Sequence, residues 1–156
     1  MSKTSTVNNL QKTLTASRVK LNEAVSSKKR ALELIATLFA ADNSELDQDE
    51  ILDALNTREK LGSTALENGI ALPHSRIANC RQPLSAIVTL QNGIDFDARD
   101  GQPVSLLWAL IVPEEATEEH LQLLAEIAGI LSDSEQCNSI RSATQATALY
   151  ARLFAA

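Results

Sequence analysis

The sequence predicts an α/β protein in which a mostly buried, mixed β-sheet packs between helices. Three observations carry that expectation. Amphipathic helical segments stand at both ends of the chain, and the middle holds three or four short apolar runs bounded by turn residues. One of those runs, VSLLWALIV (104–112), is apolar almost throughout, as a strand covered on both faces must be. The connections vary from short turns to long crossovers, which suits a mixed rather than a purely parallel sheet. The chain has 156 residues, 44% of them hydrophobic, enough for one compact domain with a real core. Only 3% are aromatic, so Leu, Ile, Val and Ala must fill that core.

Taken in order, residues 1–12 are polar and read as a flexible start, leaving 13–156 as the folded domain. SRVKL (17–21) alternates and reads as a short edge strand. A helix follows, capped by Ser26 or Ser27, with Leu32, Ile35, Leu38 and Phe39 at helical spacing and an end near Asp42-Asn43. A second helix starts at the cap Asp47, with Glu50 placed as in a capping box, and buries Ile51, Leu52 and Leu55. Gly62 stops it, so Arg58 sits in its last turn. NGIAL (68–72) opens with a turn pair and continues as a strand that Pro73 ends, because proline has no N–H for a ladder. LSAIVTL (84–90) and 104–112 are further strands, separated by the turn DARDGQP and ended by Pro113. Two helical regions close the chain, one from the cap Thr117 and one over about 133–154.

Composition excludes several functions. Fourteen basic residues against 20 acidic ones give a formal net charge of −6, which argues against a general nucleic-acid binder and against anionic membranes. The start MSKTSTVNNLQKTL has no apolar h-region, and no stretch approaches the roughly 18 apolar residues of a span. Cys80 and Cys137 form no CxxC pair and read as reduced thiols, so the expected compartment is the cytoplasm. With two histidines and no cysteine cluster, no metal site is expected.

The chemistry gathers around one histidine. In GSTALENGIALPHSRI (62–77), His74 follows a proline at the end of an apolar strand, a rigid place from which to present an imidazole. An imidazole partly unprotonated near neutral pH can attack a phosphoryl group. Arg58 offers a bidentate guanidinium, Ser63 and Thr64 offer hydroxyls, and Gly62 lets backbone N–H groups approach closely. The plain alternative is a loop histidine bonded to backbone. His120 lies in the first turn of its helix, and its offsets to Leu124, Ile127 and Leu131 put it on the apolar stripe, where it meets an anion or is simply a satisfied half-buried ring. GSTALENG lacks the lysine of a P-loop, and no GxSxG elbow supports a serine nucleophile.

Four segments decide between these readings. REKLGST (58–64), NGIALPH (68–74), IDFDARDGQPV (94–104) and LIVPEEATEEHLQLLAEIAGIL (110–131) closely resemble the enzyme IIA domains of the fructose/mannitol type of the phosphotransferase system. Among these they look most like the free-standing IIA proteins of the nitrogen-related branch. The resemblance runs from about Leu14 to Arg141. It implies a single-domain sandwich, a mixed sheet flanked by helices on both faces. It further implies that His74 accepts a phosphoryl group on Nε2 from an HPr-like carrier, in a relay that begins at phosphoenolpyruvate and enzyme I. The family's active-site arginine matches Arg58, and its second histidine matches His120. No cofactor is implied. Downstream, the resemblance allows protein targets such as potassium-transport regulators or sensor kinases, handover to a sugar-specific IIB, or a IIA-like binding module that is never phosphorylated; the likeness to the nitrogen branch favours the first. Two departures stand out. Ala65-Leu66-Glu67 replaces the family's usual Gly-Ile-Gly, and Ser75 replaces the glycine after the histidine. If those glycines held positive φ, the loop must differ here, and Glu67 either faces the phosphoryl site or turns to solvent or Arg76.

Overall fold

The structure is a computed structural model that describes residues 9–155. A five-stranded sheet forms its centre: β1 (Val19–Glu23), β2 (Ile70–Ala71), β3 (His74–Ile77), β4 (Leu84–Ile94) and β5 (Val104–Pro113). β5 is the hub. It pairs antiparallel with β4 on one side and parallel with both β2 and β3 on the other, while β1 adds in parallel to β4 at the far edge. The sheet is therefore mixed, as expected. The apolar run of β5 has the predicted cause: nine of its ten residues are buried, with cores on both faces.

Helices α1 (Lys28–Ala41) and α2 (Gln48–Lys60) cover one face, where Ile35, Phe39, Ile51 and Leu55 pack on Ala86, Val88, Leu107 and Ala109. Helices α3 (Glu118–Leu131), α4 (Ser134–Ser142) and α5 (Ala146–Leu153) cover the other, around Trp108, Leu106, Leu110 and Ile87. The single closing helical region expected over 133–154 is thus two helices, split where Ala143 leaves the helical region at ψ 139°. The helices start at the expected caps Ser27, Asp47 and Thr117, although Thr117 makes no side-chain cap bond. The Ser27 hydroxyl accepts from the Arg30 N–H, but Asp47 accepts from Asp49, a short Asx-type bond without the expected part for Glu50.

Three expectations need correction. The segment SRVKL is not a strand from its start: residues Ala16–Arg18 form a 3₁₀ turn, and β1 begins only at Val19. The turn buries the Arg18 guanidinium, whose Nε, Nη1 and Nη2 donate to the Ser85 carbonyl, Asp42 and the Thr13 carbonyl. Of the polar start, residues 1–8 lie outside the described residues, while Leu10 is buried and packs in the core beneath α3–α5. Finally, Pro73 interrupts a strand rather than ending it. The ladder to β5 runs through Ile70 and Ala71, skips the proline, and resumes at His74 opposite Leu110. Proline lacks only the donor. Its carbonyl still accepts the Leu110 N–H at 2.9 Å.

Candidate functional site

His74 is therefore the first residue of an edge strand. Its register partner Leu110 and the next residue on that sheet face, Val112, form the floor of a cavity of about 520 Å³. Ala54, Thr57 and Arg58 of α2 and its C-cap Leu61 wall one side, and Leu121 and Leu124 of α3 the other. Arg76, two residues along β3, completes the rim and donates through Nη1 to the Glu114 and Ala116 carbonyls, both at 3.0 Å, which pins the β5–α3 loop beside the site.

The two ring nitrogens of His74 have different partners. Nδ1 lies 2.7 Å from the Leu72 carbonyl, a group that can only accept, so Nδ1 carries the proton. Nε2 is left with a lone pair and accepts from Arg58 Nε at 3.4 Å. Arg58 Nη1 donates to the Gly62 carbonyl at 2.9 Å, which fixes the plane of the guanidinium. Burial holds the imidazole below its ordinary value of 6.5; the Leu72 carbonyl opposes that shift, the Arg58 cation adds to it and Glu59 opposes it. The neutral ring, with its nucleophilic atom against a guanidinium and walls that are largely apolar, suits attack on an anionic electrophile.

Of the residues picked out by sequence, the structure brings His74 and Arg58 together. The others lie differently. His120 shares the sheet face but lines a second groove of about 230 Å³ with Lys12, Gln82 and Glu126, on the other flank of α3. The stripe expected through Leu124, Ile127 and Leu131 holds at Ile127 and Leu131, but Leu123 rather than Leu124 is buried with them, and Leu121 and Leu124 line the His74 cavity. Ser63 and Thr64 do not line the His74 cavity. The turn after α2 folds back, so the Ser63 hydroxyl donates to the Phe96 carbonyl at 2.6 Å and the Thr64 hydroxyl to Glu59. The Gly62 N–H closes the helix on the Glu59 carbonyl, and only the Gly62 carbonyl meets the site. The hydroxyl-bearing residues that do line the cavity are Thr57 and Ser75.

The departures in the loop are accommodated without strain. Positive φ falls on Gly62 (146°), Asn68 (66°) and Gly69 (78°), not on Ala65, Leu66, Glu67 or Ser75. Ala65 instead bridges Ala71 as a short antiparallel contact. Glu67 is exposed and lies outside the cavity lining, and Arg76 is engaged by the loop carbonyls rather than by Glu67.

The fold is thus a mixed sheet between two helical layers, with a half-buried imidazole against an arginine at the sheet edge. The family model described as "Phosphoenolpyruvate-dependent sugar phosphotransferase system, EIIA 2" matches residues 12–155, and the chain belongs to that family. The nitrogen regulatory protein of Pseudomonas aeruginosa is 50% identical over 141 residues, 90% of this chain and 92% of that one. That of Escherichia coli K12 is 43% identical over 125 residues, 80% of this chain and 76% of that one. The crystal structure of nitrogen regulatory protein IIA-Ntr from Neisseria meningitidis superposes with a TM-score of 0.85 at 37% identity, covering 92% of this chain and 98% of that one. Within the family the chain is of the nitrogen-regulatory type.

Proposed function

We propose that the protein is a phosphohistidine carrier whose phosphorylation state is a regulatory signal. The observation that supports this most directly is the split role of the His74 ring, with Nδ1–H held on the Leu72 carbonyl and the Nε2 lone pair facing Arg58. In the forward step the Nε2 lone pair attacks the phosphorus carried on the histidine of an HPr-like donor. The new P–N bond forms as the donor's P–N bond breaks, and the donor imidazole leaves with the electron pair of that bond. The proton on His74 Nδ1 stays where it is. Positive charge that builds on the ring is shared with the Leu72 carbonyl, and the phosphoryl oxygens come to rest against the Arg58 guanidinium, a charge-assisted contact strengthened by the apolar walls. No metal or cofactor enters the step.

Regulation, rather than sugar supply, is supported by the likeness to nitrogen regulatory proteins. The targets we propose are proteins that read the phosphorylated or bare surface around His74, such as potassium-transport regulators or sensor kinases. The cytoplasm is the compartment that suits two buried, unpaired thiols. The test is incubation with phosphoenolpyruvate, enzyme I and an HPr-type carrier, followed by intact mass. We expect the mass of one phosphoryl group to be gained by the wild type and not by His74→Ala; uptake by that variant at the wild-type rate would end the proposal.

A further inference from the structure

Glu59 stands in the last turn of α2, where the helix dipole disfavours an acid. Its side chain is nonetheless only 6% exposed. An acid kept in both an unfavourable field and a buried place must be held by particular partners. Oε1 receives Lys28 Nζ at 3.0 Å and the Thr64 N–H at 3.2 Å, and Oε2 receives the Thr64 hydroxyl. Lys28 also reaches Asp97 Oδ2 at 3.3 Å and lies 4.6 Å above the Phe96 ring centroid, so its head is held in turn.

Two arms run from this carboxylate to the two halves of the site. In the first, Thr64, gripped by both its N–H and its hydroxyl, presents its carbonyl to the Leu72 N–H at 3.1 Å. Leu72 in turn presents its carbonyl to His74 Nδ1 at 2.7 Å. In the second, the turn that Thr64 anchors carries the Gly62 carbonyl, which takes Arg58 Nη1 at 2.9 Å and leaves Arg58 Nε facing His74 Nε2.

We infer that Glu59 is a positioning residue for phosphoryl transfer: through Thr64 it fixes the protonated nitrogen of His74 and the guanidinium of Arg58 together, although it touches neither the phosphoryl group nor the cavity. The inference rests on the phosphohistidine reading for its kinetic consequence, but not for its structural one. The chain of bonds Glu59–Thr64–Leu72–His74 holds the Nδ1–H tautomer. Without it the ring is free to place the proton on Nε2, which removes the nucleophilic lone pair from the side that faces Arg58. Glutamine at this position keeps the size and one acceptor, but loses the ion pair with Lys28 and the ability to accept at both oxygens.

The experiment compares wild type with Glu59→Gln and Thr64→Val by two readouts. The first is the pair of ¹⁵N shifts of the His74 ring in the unphosphorylated protein above its titration range, which report the tautomer. The second is the rate of phosphoryl uptake from an HPr-type carrier as a function of carrier concentration. We expect the wild type to show one tautomer, protonated at Nδ1, and Glu59→Gln to show a mixture. Its kcat should be lower by about tenfold, the change of one lost charge-assisted contact, while the carrier KM stays the same. Thr64→Val, which removes only the hydroxyl, should lie between the two and carries the same test if Glu59→Gln does not fold. A folded Glu59→Gln or Thr64→Val with the wild-type tautomer and wild-type kcat would overturn the inference. So would a lowered melting temperature with both readouts unchanged, since that marks a purely structural acid. If the wild type itself takes up no phosphoryl group, the functional reading fails, while the tautomer comparison still decides the role of Glu59.

Discussion

Arg58 joins the two parts of the site with one planar group, Nε toward His74 Nε2 and Nη1 toward the Gly62 carbonyl. It is half-buried at a helix end, where an unpaired surface charge contributes little to stability. The same charge beside a dianion in a cavity with apolar walls matters far more to a transition state. Arg58→Ala is therefore expected to slow phosphoryl uptake by about tenfold or more with little change in melting temperature, checked by stopped-flow transfer and calorimetry on the same sample. Titration gives a second outcome. The His74 imidazole is held below 6.5 chiefly by burial, and the Arg58 cation pushes it the same way. Removing Arg58 should raise the midpoint seen by NMR. Between the depressed midpoint and 6.5 the unfolded chain takes up a proton that the folded chain refuses, so this group's contribution to stability is complete above 6.5 and is lost as pH falls through that window. His74→Gln should flatten that part of the stability profile. His74 and Arg58 were legible in the sequence because proline, glycine and a helix end fix where they stand. Glu59, in the same motif, was not. Its meaning depends on Thr64 and Leu72 folding back over it, and only its position against the helix dipole hinted at a partner.

At the scale of elements, the clearest lesson is the turn at 16–18. Alternation in SRVKL suggested a strand with Arg18 as one of its residues. The structure spends Arg18 instead on joining the start of the chain to α1 and β4. It is 4% exposed and donates to the Ser85 and Thr13 carbonyls and to Asp42. No local pattern announces such a residue, because each partner is distant or irregular in sequence. The same holds for the split of the last helical region and for the strand that resumes after Pro73, both decided by what β5 and the core require. Helices α1–α3, the central strands and the mixed sheet were legible because their periodicity reflects the faces they bury. Replacing Arg18 with Met tests the joint. The two carbonyls lose a charged donor, while Asp42, 36% exposed, stays solvated. The cost should fall below that of stranding a fully buried charge, at about 3 kcal/mol. For a chain of this size that lowers the melting temperature by about 6–12 °C, measured by calorimetry. A change within 1–2 °C (roughly the effect of a surface substitution) would show that the guanidinium's own desolvation offsets its bonds.

At the scale of the whole molecule, charge and shape set different terms for a partner. The net charge of −6 offers no long-range attraction to a phosphoryl group, so the carrier proposed above would have to be held by local contacts. Around His74 those contacts are apolar. Leu61 caps α2 at 81% exposure, and Ala54, Leu121 and Leu124 stand with it about the cavity. Leu66, 38% exposed, is the other large exposed hydrophobic residue among the described residues and lies outside the cavity lining. This contrast makes a matched test. Burying a leucine side chain fully is worth about 1.5–3 kcal/mol, and roughly half of that, about 1.4 kcal/mol, is a tenfold change in affinity. Leu61→Asp should therefore raise the carrier KM by about tenfold and leave kcat at saturation unchanged, because Leu61 does not contact the reacting nitrogen. Its exposure makes a folding defect an unsuitable explanation, and the melting temperature should stay within about 1–2 °C, the range of surface changes. Leu66→Asp should leave both constants as they are. Equal effects from the two variants would point to added negative charge repelling the carrier, a loss that 0.5 M salt should then largely reverse, since such a field is screened within about 4–5 Å. A KM defect at Leu61 alone that persists in high salt would instead place the carrier's apolar surface against the end of α2, beside the histidine it serves.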